Sequence, residues 1–280
     1  MTTEAILLGT AQDAGVPQVG CYCATCERAR KDPTQRQWVV CLGLVDHPSH
    51  QSWLIDATPD FREQVDALHQ FAPNCPLAGI ILTHAHMGHY AGLIQVGPEA
   101  MNVQSLPVLA SPKMAKFLAE NAPWAQLIQG NHISLEQLTP NVDVNLCANL
   151  RLRPVPVPHR DELSDTMAFV VTGPTRQLFY CPDIDSWDMW ENDLGASVAD
   201  VDVALLDGSF FSPIELPGRD IGQIPHPLVT DTAERLDGTD CEVRFIHLNH
   251  TNPLYQDGPE RAWLTQRGLG VGHFGENWAL

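Results

Sequence analysis

Lysine is nearly missing from this sequence: Lys31, Lys113 and Lys116 are the only ones in 280 residues. With arginine included, 16 basic residues face 34 acidic ones, for a formal net charge of −18. Such a surface repels a phosphate backbone, so no nucleic-acid partner is expected. Adaptation for solubility or to a salty milieu accounts for the same composition equally well. Also missing is any apolar run near the roughly 20 residues a membrane-spanning helix needs, so no membrane partner is expected. The start of the chain, Met1-Thr2-Thr3-Glu4, carries no basic stretch ahead of its first apolar residues. That speaks against a secretory leader and makes the cytoplasm the expected compartment. No internal repeat, low-complexity linker or break in composition divides the chain, and residues 1–280 are read as a single domain.

What the chain does have is histidine in the right place. In Ile80-Ile81-Leu82-Thr83-His84-Ala85-His86-Met87-Gly88-His89-Tyr90, three imidazoles fall within six residues after an apolar run. Ile80 to Leu82 reads as a buried strand, and a helix is expected from Ala91 onward. A tight turn between them projects His84, His86 and His89 from the strand's C-terminal end. Neutral imidazole is a good ligand for zinc and its neighbours, so three converging rings make most of a metal site. The competing reading is a surface turn that happens to be rich in histidine.

A second cluster is Cys21-Tyr22-Cys23-Ala24-Thr25-Cys26. Three thiolates at this spacing can share one tetrahedral metal, with a fourth ligand still to come from elsewhere. In a chain without an export signal, metal is a better reading than disulfides, and free thiols in a loop are the alternative. The remaining cysteines, Cys41, Cys75, Cys147, Cys181 and Cys241, are expected to pack as small buried hydrophobes.

Along the rest of the chain, strands are expected from Glu4 to Gly9, Trp38 to Val45, Ser52 to Asp56, Pro107 to Ala110, Leu150 to Val157, Met167 to Thr172, Arg176 to Cys181, Val201 to Leu206 and Cys241 to Leu248. Helices are expected after Pro59, with Phe61, Val65, Leu68 and Phe71 on one face, and after the Ser111-Pro112 cap. Others are expected at Trp187 to Leu194, Leu228 to Leu236 and Pro259 to Gln266. His132 reads as a surface histidine. The segment from Ile214 to Pro227 is rich in glycine and proline; it reads as a loop over a site, where Arg219 and His226 could reach a substrate.

The His-x-His-x-Gly-His run after an apolar strand resembles the metallo-β-lactamase superfamily, whose motif reads His-x-His-x-Asp-His. The resemblance implies an α/β (α+β) fold, a four-layer αββα sandwich. It also implies that Asp56, at a strand's end, supports the histidine turn from behind, and that His159 is a further ligand. Asp183 would bridge two metals and is preferred to Asp185 because it lies nearer the strand. Gly88 stands where the motif has aspartate, so a second metal is expected to bind weakly or not at all. A narrower resemblance rests on Gly9-Thr10-Ala11-Gln12-Asp13-Ala14-Gly15-Val16-Pro17-Gln18, the cysteine cluster, Leu205-Leu206-Asp207-Gly208-Ser209 and Phe245-Ile246-His247-Leu248-Asn249-His250. These runs are similar to the PQQ-biosynthesis B family. The cysteine cluster and the His-x-x-His also resemble the cyclic phosphodiesterases of the carbon–phosphorus lyase pathway. By that resemblance Cys21, Cys23, Cys26 and His250 hold a structural metal, His247 is a catalytic-site ligand, and His226 is a catalytic acid.

The resulting expectation is a metal-dependent hydrolase of a small phosphodiester, with metal-bound hydroxide as nucleophile. His84, His86 and His159 hold a first metal with Asp183; His89, His247 and Asp183 remain for a second. Zn²⁺ is expected at the structural site and at one or two catalytic positions, with Mn²⁺ or Fe²⁺ as alternatives at the latter. The expected partner is a small-molecule substrate, and a homodimer is left open. The rival readings are an oxidative or accessory enzyme of PQQ-type cofactor biosynthesis, and a non-enzymatic metal carrier.

Overall fold

The computed structural model describes residues 2–215 and 225–280. Most of Ile214 to Pro227, Arg219 included, lies outside them. Fourteen strands are assigned among the described residues: β1 (Thr3–Gly9), β2 (Cys41–Asp46), β3 (Gln51–Ile55), β4 (Leu77–Ile81), β5 (Leu106–Ala110), β6 (Ile133–Gln137), β7 (Val144–Asn145), β8 (Arg151–Val157), β9 (Thr166–Thr172), β10 (Gln177–Cys181), β11 (Val203–Asp207), β12 (Glu242–Ile246), β13 (Gly270–Val271) and β14 (Asn277–Ala279). They form two seven-stranded sheets, ordered β14-β1-β2-β3-β4-β5-β6 and β13-β12-β11-β10-β9-β8-β7. β3 to β6 run parallel, as do β10 to β13; the other pairings are antiparallel.

The sequence explains the layering. Inner strands such as Cys41–Asp46 and Val203–Asp207 are buried on both faces, which requires a sheet covered on both sides. Successive side chains alternate between faces. In β1, Leu7 faces the core between the sheets with Leu42, Ile55, Ile81, Phe169, Val171, Leu178 and Leu205. Its neighbours Ile6 and Leu8 face outward, under Phe61 and Leu68 of the helix Phe61–Phe71, in the layer that also holds Met114 and Leu118 of the helix Pro112–Glu120. Ser111 caps the latter by accepting the Met114 N–H at 3.1 Å. On the far side, Phe179, Leu206 and Phe245 pack under Val229, Ala233 and Leu264, from the helices Val229–Arg235 and Pro259–Thr265. This is the expected αββα sandwich. No described helix is long and apolar enough to cross a membrane.

Four local expectations fail. Trp187 to Leu194 is turn, not helix: the buried Trp187 and Trp190 indoles donate to Thr232 Oγ1 (2.8 Å) and the Pro156 carbonyl (2.9 Å), and following those partners breaks the helical path. The helix starts only at Leu194, capped by Asp193. Phe71 is 40 % exposed instead of packed inward, and leans on Phe274. His132 is buried, its Nδ1–H donating to the Val103 carbonyl at 3.0 Å. Cys147 is half-buried and its thiol donates to Asp46 Oδ2 at 3.1 Å, so it acts as a polar group.

Candidate metal centre

β1, β3, β4, β8, β10, β11 and β12 all point their C-terminal ends to one edge of the sandwich. Each ends in or is followed there by a chemically capable residue: Asp13, Asp56, the histidine turn, His159, Asp183, Asp207 and His247. An open strand edge of this kind is where α/β folds place ligands.

Asp56 organises the histidine turn. It follows β3 with φ +73°, a left-handed conformation unusual for a residue with a side chain. Its buried carboxylate accepts the Thr83 N–H and hydroxyl at Oδ1 (2.9 Å each) and the His89 Nδ1–H at Oδ2 (2.7 Å). Backbone bonds from Ala57 N to His89 O (2.9 Å) and from Gly92 N to Ala57 O (2.8 Å) lock the turn onto the end of β3. The turn itself comprises a short helix, Met87–Tyr90, and the 3-10 segment Ala91–Val96 in place of one longer helix.

The same device recurs around the site: one ring nitrogen is held by a neighbour, and the other faces a shared hollow. His84 Nδ1 bonds Thr83 Oγ1 at 3.0 Å, and His159 Nδ1 bonds Asp185 Oδ1 at 2.7 Å. His247, itself at φ +59°, bonds Ser209 Oγ at 2.9 Å through Nδ1. Such partners fix tautomer and orientation. Asp183 lies in the middle. Its Oδ2 is 3.3 Å from His84 Nε2, 3.6 Å from His89 Nε2 and 3.7 Å from His247 Nε2. Its Oδ1 is 3.2 Å from His159 Nε2. His86 turns Nδ1 inward, 3.2 Å from His159 Nε2.

These inward atoms are underemployed. Eight buried side-chain nitrogens and oxygens among the described residues lack a hydrogen-bond partner, and five of them are here: Asp13 Oδ1, Asp183 Oδ1, and Nε2 of His84, His89 and His247. Buried polar atoms are rarely left so, and these five converge where one bound cation could satisfy several of them. Burial pushes His84 well below the usual imidazole range and lowers His247, favouring the neutral ring, whereas at His89 and His159 the neighbouring carboxylates outweigh burial and raise it.

Two residues of the site went unassigned in the sequence. Asp207 accepts Ser209 N–H at Oδ1 (2.9 Å), and Ile184 N–H (3.1 Å) and His226 Nδ1–H (2.7 Å) at Oδ2. So engaged, it positions His226. Burial opposes charge on His226, but the Asp207 and Asp183 carboxylates outweigh it and raise the ring to about 9. Asp13, from the loop after β1, sets Oδ1 3.4 Å from His89 Nε2. A count of ligands around Gly88 that stops at His89, Asp183 and His247 therefore omits a carboxylate. Its signal was weak: an aspartate in a polar loop, far in sequence from the histidines. Asp185, the rejected rival of Asp183, instead orients His159.

Away from this hollow, Cys21, Cys23, Cys26 and His250 come together with their donor atoms within 4.8 Å of one another. His250 Nδ1 is 3.5 Å from Cys21 Sγ and 3.4 Å from Cys23 Sγ. All eight cysteines are free.

Residues 52–247 match the β-lactamase superfamily domain. Coenzyme PQQ synthesis protein B of Rhizobium meliloti is 24 % identical over 297 residues, covering 96 % of this chain and 95 % of that protein. The protein of the same name from Pseudomonas putida strain GB-1 is 28 % identical over 306 residues, covering 95 % and 96 %. Among solved structures, Zn²⁺-bound PqqB from Methylobacterium extorquens superposes with a TM-score of 0.82 at 21 % identity, covering 99 % of this chain and all of that one. A diphosphatase of the PhnP family gives 0.69 at 21 % identity, covering 100 % and 98 %.

Proposed function

Given that the chain belongs to the β-lactamase superfamily, we propose that it is a metal-dependent hydrolase acting on a small phosphodiester. The observation that carries this reading is the hollow where Asp183 and five histidines turn donor atoms inward, several of them unpartnered. The spacing fits an ion. Zinc–nitrogen bonds of about 2.0–2.1 Å at the tetrahedral angle put neighbouring donors roughly 3.3–3.4 Å apart. Among the separations in the first group, His84 Nε2 to Asp183 Oδ2 is 3.3 Å, His159 Nε2 to Asp183 Oδ1 is 3.2 Å and His86 Nδ1 to His159 Nε2 is 3.2 Å, while His86 Nδ1 to Asp183 Oδ2 is longer at 4.0 Å. His84, His86, His159 and Asp183 would hold one metal, and His89, His247 and Asp183 would take part in holding a second. Bound metals lower the pKa of water and polarise a phosphoryl oxygen.

The chain's own residues supply the rest. Thr83, Asp185 and Ser209 fix the Nδ1 sides of His84, His159 and His247, so the ligand nitrogens need no reorganisation. Asp207 holds His226 through Nδ1, leaving Nε2 to carry a proton to a departing alkoxide, a role worth on the order of 10²–10⁴ in rate. The diphosphatase relative, as its name describes it, supports chemistry at phosphorus. Cys21, Cys23, Cys26 and His250 would hold a structural metal: about 2.3 Å to sulfur and 2.0–2.1 Å to nitrogen predicts S–N edges of roughly 3.5 Å, against 3.5 and 3.4 Å here.

The test is turnover by the zinc- or manganese-loaded protein of bis(p-nitrophenyl) phosphate, beside the monoester and p-nitrophenyl acetate. We expect preference for the diester, abolished in Asp183→Asn. Fully metallated protein that leaves all diesters intact would refute the assignment. A second reading, an accessory or oxidative enzyme of PQQ synthesis, is favoured by the relatives of that name matching nearly the full chain. It predicts oxygen uptake by iron-loaded protein with a PQQ precursor, and no effect of zinc loading on diesters.

A further inference from the structure

We propose that Asp13 is a ligand of a second metal in this centre, and that Gly88 is glycine because Asp13 occupies the space above it. The inference rests on the metal-centre reading given above. Asp13 Oδ1, His89 Nε2 and His247 Nε2 are buried and without hydrogen-bond partners. Together they form a group whose donor atoms lie within 4.8 Å of one another. The remainder of the Asp13 side chain is partly exposed, so its buried oxygen is directed inward.

The local chemistry asks for a cation. His89 Nδ1–H already donates to Asp56. In the neutral ring, Nε2 is then a lone pair, and a carboxylate oxygen 3.4 Å away faces it. Two electron-rich atoms in one buried place are stable only with a positive charge between or on them. A divalent ion shared with His247 supplies it; the alternative is a doubly protonated His89 in a plain ion pair.

The backbone builds this placement deliberately. Thr10 and Ala11 N–H donate to the Trp38 carbonyl (2.9 Å each), and Val40 N–H donates to Ala11 O (2.8 Å). On the other side, Gln12 N–H donates to Leu248 O (3.0 Å) and Leu248 N–H to Thr10 O (2.9 Å). The Asp13 loop and the residue after His247 are thus one hydrogen-bonded unit. A tight turn closed by Gly15 N to Gln12 O (2.8 Å), with Gly15 at φ +65°, follows. Under it, a Cβ on Gly88 would lie 2.7 Å from Asp13 Cα and 2.8 Å from its Cβ, and inside contact of Oδ1. A side chain at 88 and this position of Asp13 exclude one another. The carboxylate that position 88 cannot offer comes from the other end of the fold.

Zinc titration of the apoprotein by calorimetry, with bound metal counted by mass spectrometry, tests this. Wild type should take three equivalents: one at the thiolate site and two in the hollow. Asp13→Asn, which keeps the shape, should weaken one hollow equivalent by on the order of 100-fold or more, beyond what loss of a merely supporting residue costs. Gly88→Ala, which displaces Asp13 while leaving every donor group chemically intact, should weaken the same equivalent and spare the other two. Asp13→Asn with three equivalents of unchanged affinity would overturn the inference and leave an ion pair in its place. Wild type binding a single hollow equivalent would also overturn it, with the first site intact. Wild type binding none there would bring down the metal-centre reading itself.

Discussion

Replacing Asp56 with asparagine should strip metal from one part of the hollow while leaving the fold standing. The orientation of the new amide is forced. Thr83 N–H is a donor and must keep facing an oxygen, as it does now at 2.9 Å. The amide NH₂ therefore takes the place of Oδ2 and points at His89 Nδ1, which now donates to Asp56 at 2.7 Å. Two donors cannot face each other in a buried site, an arrangement costing about 1–3 kcal/mol. His89 escapes by changing tautomer: Nδ1 accepts from the amide, and the proton moves to Nε2, the atom turned to the hollow. A protonated Nε2 cannot ligate. Loss of such an orienting partner typically costs 10–100-fold in metal affinity, or about 1.4–2.8 kcal/mol. Stability should change little, because asparagine matches the volume and tolerates the φ of +73° found at this position. Asp56→Ala is the contrast. It leaves the Thr83 N–H and the His89 Nδ1–H without a partner in a buried site, and the Thr83 hydroxyl with His84 Nδ1 alone, and should cost several kcal/mol at about 1–3 for each orphaned donor. Isothermal titration of zinc into the apoproteins, with a thermal melt of each, reads both effects. If Asp56→Asn binds every equivalent as wild type does, the tautomer argument is wrong. Equal weakening at all sites would point to general damage instead.

Other substitutions probe separate parts. Cys23→Ser should lose one zinc equivalent and lower Tm, since the proposed thiolate site ties the loop after β1 to the segment after β12; unchanged metal content and Tm would refute the assignment. His226→Ala should reduce kcat on a diester by about 10²–10⁴ while metal content holds, and equal losses of both would make it a ligand. Asp207→Asn should lower kcat in the same direction, by freeing the His226 ring, and a variant as active as wild type would show that ring needs no positioning. Gly92→Ala would set a Cβ 2.6 Å from Phe61 Cβ and against the Thr58 carbonyl, and should destabilise by about 1–3 kcal/mol, measured by urea denaturation.

The sandwich was legible because its signals are local. Apolar strands such as Val203–Asp207 and Leu77–Ile81 bury both faces, and turn residues separate them. The ligand candidates were legible for the same reason: His84 to His89 lie within six residues, and His159, Asp183 and His247 each come within two residues of a strand's end. Asp13 was not, because its importance depends on β1 running beside β2 and on Leu248 pairing with Gln12, contacts that join distant parts of the chain. Asp207 looked like one more strand end until its three donors were in place. The tryptophans at 187 and 190 misled, since their apolar spacing suits a helix while their indole N–H groups are claimed by Thr232 and Pro156.

The most direct test of the central claim is an anomalous-difference map from crystals grown with zinc, collected on both sides of the absorption edge. A peak is expected among His84, His86, His159 and Asp183, a second among Asp13, His89, His247 and Asp183, and a third at Cys21, Cys23, Cys26 and His250. Metal at the thiolates alone, with the histidine hollow holding only water and its side chains where they are now, would contradict it.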